Sequence, residues 1–309
     1  MCIRDRLGLV LRCPSAPAGK LSIKRQGMTK AKSARIFVVM LSLLALLMPD
    51  PKSAQGGDDM RQRLQRVKES TARILVNGKP AGTGFAVAEN TIATNFHVVQ
   101  QLSPTASGQT QVTYATKIEV QLHDGRLLPA TPHPSVLGNN LSTWIGNDVT
   151  LLSVPASNLR PLKLGRFADV SEGDRIYLAG YPFGIRQIVA ATGMLSTKWK
   201  TVAYLGRGRS RDVAWLDVTM NKGNSGGPVL LLAEDPARDV VVGIANFSLN
   251  PFAERAEEFA NVAASFPGNA VVIGIDFKKF SILIGAALMS QSHGVGGCVA
   301  IDYVQLPKP

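Results

Sequence analysis

Short apolar runs recur from residue 71 to near the end of the chain, and turn-forming residues separate them. The runs of the first half are TARILV, GTGFAVAE, TIATNFHVV, KIEVQLHD, RLLPATPH and DVTLLSVP. Those of the second half are RIYLAGYP, QIVAATGMLS, TVAYLG, VAWLDVTM, PVLLLA, VVVGIANFSL and VVIGIDF. Short runs rich in β-branched residues and bounded by Gly, Pro, Asn or Asp predict β-strands. The pattern therefore predicts an all-β protein of two similar halves, each a barrel or a sandwich.

Three segments depart from the strand pattern. Residues 57–70 have apolar positions at helical spacing and predict a short helix before the first strand. Residues 156–174 are polar and turn-rich, which predicts a linker, and FKKFSILIGAALM at 277–289 predicts a closing helix. The resulting division is a first barrel at 71–160, a second barrel at 161–290 and a C-terminal tail at 291–309. The role of an insertion with a mixed helical pattern at 250–268 stays open.

The formal net charge of +12 lies mostly at the amino end. Residues 1–54 carry ten Lys and Arg against two Asp and Glu, and the rest carries 24 against 20, so the sequence does not predict a nucleic-acid partner. Residues 28–54 have the charged, apolar, small-residue order of a secretory signal peptide. We expect an exported bacterial protein, periplasmic or secreted, or one tethered to the membrane through 36–48 if the signal is not cleaved. Residues 1–27 are interpreted as an upstream or non-native extension.

The positions of the cysteine and arginine residues bear on disulfide bonding and on possible anion binding. Two of the three cysteines lie within residues 1–27, so Cys298 has no disulfide partner in the rest of the chain, which fits a bacterial exported protein. We expect its side chain to be buried and inert. Arg207, Arg209 and Arg211 in LGRGRSRD are interpreted as a solvated loop, and an anion-binding patch is the alternative.

The stretch MNKGNSGGP places Ser225 among three glycines just before an apolar strand. Such a turn can aim the N–H groups of Gly223 and Ser225 into one space, where they would stabilise a developing oxyanion. Gly226 and Gly227 are expected to let a substrate backbone approach. A glycine-rich hairpin without chemistry is the alternative.

A serine nucleophile needs a base, and the chain has only four histidines. His97 follows a predicted strand-turn-strand in GTGFAVAENTIATNFHVV, where a base would be well positioned. Asp148 in GNDVTLLSV precedes an apolar strand and could orient the imidazole. Alone, His97 fits a core-edge histidine and Asp148 a turn cap.

Together these segments resemble the trypsin-like (chymotrypsin-fold) serine peptidases, most closely the bacterial HtrA-type branch. The likeness also covers LAGYPFG, ATGMLS, GIANF and VVIGIDFKKF, so it extends over about residues 71–285. It implies two six-stranded antiparallel β-barrels, with His97 as general base, Asp148 as its orienting partner and Ser225 as nucleophile. It also implies peptide-bond hydrolysis through an acyl-enzyme, without metal or cofactor. Protein or peptide substrates are the implied partners.

The resemblance assigns further residues to binding. The oxyanion hole would lie at Gly223, Asn224 and Ser225, and an extended substrate would pair with Ile244, Ala245 and Asn246. Thr219, at the floor of the specificity pocket, carries no charge, which favours small or medium apolar P1 residues. Asn224 stands where vertebrate relatives have the aspartate that pairs with a new N-terminus. Only about 20 residues follow the closing helix, so no PDZ domain is expected.

Two other readings stay open. GNSGG also fits the nucleophile elbow of α/β-hydrolases, which would require a helix after Ser225 and His293 as the base. The chain could also be a catalytically silent protein that binds peptides or acts as a scaffold on the same barrels. The sequence indicates no oligomeric state.

Overall fold

The computed structural model describes residues 51–105, 110–138, 141–155, 158–204, 210–248, 261, 271–272, 275–289 and 294–306. The helices are α1 (Pro51–Ser70), α2 (Phe96–Val99), α3 (Leu141–Asn147) and α4 (Phe277–Met289). The strands of the first half are β1 (Thr71–Val76), β2 (Lys79–Ala88), β3 (Thr91–Thr94), β4 (Gln100–Pro104), β5 (Thr110–Tyr114), β6 (Ile118–Gln121), β7 (Leu127–Pro132) and β8 (Thr150–Ser153). Those of the second half are β9 (Arg175–Gly180), β10 (Val189–Thr201), β11 (Arg211–Asp217), β12 (Pro228–Leu231), β13 (Val240–Ser248), β14 (Val271–Val272), β15 (Ile275–Asp276) and β16 (Val295–Ala300).

Twelve of these strands close into two six-stranded barrels, as the resemblance implied. The first barrel has the order β1-β2-β3-β8-β7-β6 and the second β10-β11-β16-β13-β12-β9, and neighbouring strands are antiparallel. The strands β4 and β5 form a separate hairpin, and so do β14 and β15. This architecture excludes the α/β-hydrolase reading, because the strand β12 and not a helix follows Ser225.

Several strands are apolar on both faces because each barrel packs against the other as well as filling its own interior. On β8, Leu152 lies in the core of the first barrel, whereas Leu151 belongs to a cluster shared by both barrels. On β9, Leu178 fills the second barrel and Tyr177 faces the shared cluster. Successive side chains of a strand point to opposite faces, so a run buried on both faces loses its polar alternation.

The closing strand of the second barrel differs from the prediction. β16 pairs with β11 on one side and with β13 on the other, so this barrel extends beyond residue 290 into the predicted tail at 291–309. The predicted strand VVIGIDF instead contributes the small hairpin of β14 and β15. The run VGGCVA was not predicted as a strand, because Gly296 and Gly297 are poor strand formers. Gly296 is required by close packing, since a Cβ there would come within 2.2 Å of the Met220 sulfur.

Some predictions fall partly or wholly outside the described residues. The signal segment 28–54 lies outside them except for the start of α1, and the insertion 250–268 does so except for residue 261. In the part of the chain that the structure describes, no helix has the length and apolar character needed to cross a bilayer.

Candidate active site

His97 and Asp148 come together at the edge of the first barrel. Asp148 is buried and accepts twice from His97, through Oδ1 from the backbone N–H at 2.9 Å and through Oδ2 from Nδ1 at 2.8 Å. The first contact also satisfies an N–H group at the start of α2, which has no partner within so short a helix. This pairing leaves the other ring nitrogen, Nε2, available to act on a substrate or nucleophile.

The backbone around Asp148 is held in an unusual conformation. Its φ angle is +55°, in the left-handed region that non-glycine residues rarely adopt. Asn95 donates from Nδ2 to the Asp148 carbonyl at 2.8 Å, and the Asp148 N–H donates to the Ile145 carbonyl at 2.9 Å. Asn246, from the second barrel, donates from Nδ2 to Asp148 Oδ2 at 2.7 Å. These bonds aim the carboxylate at His97 and stabilise its charge.

Ser225 lies on a tight turn that leads into β12. Its neighbour Gly226 has φ +86°, and a Cβ there would lie 2.0 Å from the Thr83 carbonyl oxygen and 2.2 Å from Thr94 Oγ1. Gly226 therefore lets the protein's own two barrels approach each other. The expectation that Gly226 and Gly227 give room to a substrate is corrected, because a Cβ on Gly227 would meet the Ala179 carbonyl oxygen at 2.2 Å.

Thr83 on β2 connects the first barrel to the loop that precedes Ser225. This residue is fully buried, and its N–H donates to the Ser225 carbonyl at 2.8 Å. Its hydroxyl donates to the Gly223 carbonyl at 2.6 Å and accepts from the Tyr181 N–H at 3.0 Å. Thr94 Oγ1 donates to the Thr83 carbonyl at 2.7 Å. The sequence analysis missed Thr83, although its place in GTGF marked a strand next to the site.

The predicted oxyanion-hole residues differ in what their N–H groups contact. The Asn224 N–H donates to the Asn221 carbonyl at 3.0 Å, which removes it from the set of free donors. Within the described ranges, the N–H groups of Gly223 and Ser225 donate to no protein acceptor, and Gly223 has φ +102°. The assignment of Asn224 as a donor is therefore corrected.

The Ser225 hydroxyl contacts the second barrel. Its Oγ donates to the Asn246 carbonyl at 3.3 Å, and no hydrogen bond joins Ser225 to His97 among the residues that the structure describes.

Most of the residues predicted to pair with a substrate already pair with other backbone segments of the second barrel. Ile244 pairs with Pro228 on one side and with Val299 on the other. The Ala245 N–H donates to the Gly227 carbonyl at 2.9 Å, and its carbonyl accepts from the Gly226 N–H at 2.8 Å. Ile244 and Ala245 are thus unavailable to a substrate backbone. β13 lacks its β12 neighbour only from Asn246 onward, because β12 begins at Pro228.

A cleft of about 620 Å³ opens beside His97, lined by Gln100, Trp199, Thr201, Tyr204, Arg211 and Trp215 together with Asp148 and Asn246. The indoles of Trp199 and Trp215 stack with their ring centroids 5.0 Å apart, and Tyr204 lies 6.2 Å from the His97 ring. The predicted pocket residue Thr219 is exposed and does not line this cleft. Burial raises the pKa of the Tyr204 phenol above its ordinary value.

The environment of Arg211 differs from the one that the sequence predicts. Its side chain is buried, with 8% of the residue exposed, so it does not belong to a solvated loop. Burial lowers the pKa of its guanidinium, while Asp148 beside it acts in the opposite direction. The alternation of arginines in LGRGRSRD carried no signal that the last one points inward. Arg207 and Arg209 lie outside the described residues.

Other candidate groups lie away from this site. His123 is exposed, His133 bonds Ser135 within its own turn, and His293 is outside the described residues. Cys298 is fully buried in β16, which confirms the expected burial, and burial raises the pKa of its thiol to about 12. Across the described ranges, no group of three or more His, Cys, Asp or Glu side chains is arranged to bind a metal ion.

Comparison with known proteins identifies the family of this chain. Residues 82–244 match the family described as trypsin-like peptidase domain, and this match covers more than half of the chain. The chain belongs to this family. A probable periplasmic serine endoprotease DegP-like from Chlamydia pneumoniae is 33% identical over 150 residues, which are 48% of this chain and 26% of that protein. Serine protease HTRA3 of Rattus norvegicus is 34% identical over 154 residues, 49% of this chain and 30% of the relative.

These trypsin-like relatives are of the HtrA and DegP type, and the chain spans about a quarter to a third of their length. A solved structure of the HtrA-type protease AlgW with decapeptide has a TM-score of 0.50 and 19% identity, covering 78% of this chain and 63% of that one. At this identity the likeness shows the shared fold alone.

Proposed function

We propose that this trypsin-like domain is a serine endopeptidase that hydrolyses peptide bonds of proteins through His97, Asp148 and Ser225. The observation that carries the proposal is the contact of His97 Nδ1 with the buried Asp148 carboxylate at 2.8 Å. Asn246 connects this pair to Ser225, because its Nδ2 donates to Asp148 Oδ2 and its carbonyl accepts from Ser225 Oγ. A buried carboxylate in this position holds the imidazole in one tautomer and stabilises the imidazolium that forms during the reaction.

The reaction would proceed through an acyl-enzyme. The Ser225 hydroxyl rotates towards His97, transfers its proton to Nε2, and its oxygen attacks the scissile carbonyl carbon. The carbonyl oxygen becomes an oxyanion that accepts from the N–H groups of Gly223 and Ser225. His97 then returns the proton to the leaving amine, and a water molecule activated by the same imidazole hydrolyses the ester.

Substrate binding would use the open edge of β13. An extended peptide can pair with the backbone from Asn246 onward, where β12 no longer occupies that edge. The preference for small or medium apolar P1 residues stays a prediction from the sequence, because exposed Thr219 does not line the cleft beside His97. The DegP-like relative from Chlamydia pneumoniae is described as probably periplasmic, and together with the signal-like segment 28–54 this supports the proposal of an exported protein.

The experiment compares the full chain with Ser225→Ala in digestion of unfolded casein and of a peptide library. We expect cleavage by the wild type and none by the variant, and reaction of a fluorophosphonate probe with Ser225 alone. His97→Ala should abolish both, whereas His133→Ala, which alters a histidine outside the site, should leave both unchanged.

A catalytically silent peptide-binding protein is the second candidate. The observation that favours it is the Ser225 hydroxyl bonded to Asn246 and not to His97. A wild-type chain that binds unfolded protein but neither cleaves it nor reacts with the probe would support this candidate and overturn the peptidase.

A further inference from the structure

Arg211 brings a second positive charge to the Asp148–His97 pair from the other barrel. It begins β11, and its NH1 lies 3.7 Å from Asp148 Oδ2 and donates to the Asn147 carbonyl at 3.3 Å. Only 10% of its side chain is exposed, against 1% for Asp148. Such a pair is shielded from water, so its electrostatic effect is larger than that of a surface ion pair.

Arg211 is the cation beside the Asp148 carboxylate. Among the described residues, it is the one arginine or lysine in an ion pair with Asp148. Its guanidinium lies 6.0 Å from the centre of the Tyr204 ring, which also faces His97. The next charged groups on β10 and β11, Lys200 and Asp212, pair with each other at 2.9 Å, and the Tyr303 hydroxyl bonds Asp212.

Asp148 therefore contacts both His97 and Arg211 through one carboxylate. Its Oδ2 accepts from His97 Nδ1 at 2.8 Å and lies beside the guanidinium. When His97 takes a proton, its new charge is attracted by Asp148 but repelled by Arg211. Like charges repel more strongly where water is excluded, so removing the guanidinium charge should change how the reaction depends on pH.

We propose that Arg211 is a positioning residue of the candidate active site. It fixes the Asp148 loop through the Asn147 carbonyl, and its charge moves the acid limb of peptide hydrolysis to lower pH than the triad alone would give. This inference rests on the proposed peptidase function.

The test is a profile of kcat/KM against pH for the wild type, Arg211→Gln, Arg211→Met and Arg211→Lys. Glutamine keeps a donor for Asn147, methionine fills the same space without a polar end, and lysine keeps the charge. We expect the acid limb to move to higher pH in both uncharged variants, and by much less in the lysine variant. Arg126→Met removes an exposed arginine paired with Asp124 and serves as the control with an unmoved limb.

An acid limb that stays in place in the folded Arg211→Gln or Arg211→Met variant overturns the proposal, as does an equal shift in Arg126→Met. If one uncharged variant does not fold by circular dichroism, the other decides. A wild type without hydrolysis at any pH would instead refute the proposed function, so the two failures are distinguishable.

Discussion

Thr83→Val tests whether the first barrel holds the loop that carries the nucleophile. Valine has nearly the shape of threonine, so the substitution removes the hydroxyl while the buried volume is kept. The lost contacts are the bond to the Gly223 carbonyl at 2.6 Å and the bond from the Tyr181 N–H at 3.0 Å. The backbone bond from Thr83 to the Ser225 carbonyl is retained.

Two buried polar groups would then lack a partner. Each such group costs about 1 to 3 kcal/mol, so the free energy of unfolding should fall by about 2 to 6 kcal/mol. The activity should fall as well, because the Gly223 carbonyl belongs to the loop that aims the proposed oxyanion donors. Complete loss of one donor costs about 10²- to 10³-fold in kcat, so a loosened donor should cost roughly 10- to 100-fold.

The assay combines urea unfolding with kcat and KM for a peptide that the wild type cleaves. Thr83→Ser keeps the hydroxyl and should retain most of the activity and stability. Thr71→Val is the matched control, since the Thr71 hydroxyl is buried and has no partner within the described residues. Wild-type kcat and stability in Thr83→Val, or equal losses in Thr71→Val, would refute the reasoning.

Two further predictions concern stability and reactivity. Asp239→Ala should lower the free energy of unfolding in urea by about 3 to 5 kcal/mol, because buried Arg63 bonds Asp239 at 2.8 Å and would lose this carboxylate partner. As a control, Asp58→Ala breaks an exposed ion pair and should lower the free energy of unfolding by less than about 1 kcal/mol. Similar losses in both would contradict this. The Cys298 thiol should react with a thiol reagent only after unfolding, since burial raises its pKa to about 12. The raised pKa leaves the free energy of unfolding unaffected below pH 9.0, the ordinary value, and lowers this free energy as the pH rises towards 12. Rapid labelling of the folded protein at neutral pH would argue against burial of the thiol.

Much of the barrel pattern was predictable because each strand signal is local. The run TARILV coincides with β1, and the runs around Ser225 and His97 start or end close to the observed strands. β16 was not predictable in this way, since Gly296 and Gly297 are poor strand formers that are held in place by pairing on both sides. Pairing with distant strands overrode local propensity there.

The amino-acid sequence by itself determined the two series of strands, the buried thiol and the presence of a histidine, an aspartate and a serine in the order of the trypsin-like family. Only the tertiary structure decided which polar groups meet across the barrels. Thr83 reaches the loop before Ser225, Asn246 reaches Asp148, and Arg211 joins the same carboxylate from β11. These contacts join residues distant in the chain, so no local pattern encodes them. They form because a buried polar group must find a partner wherever packing brings one.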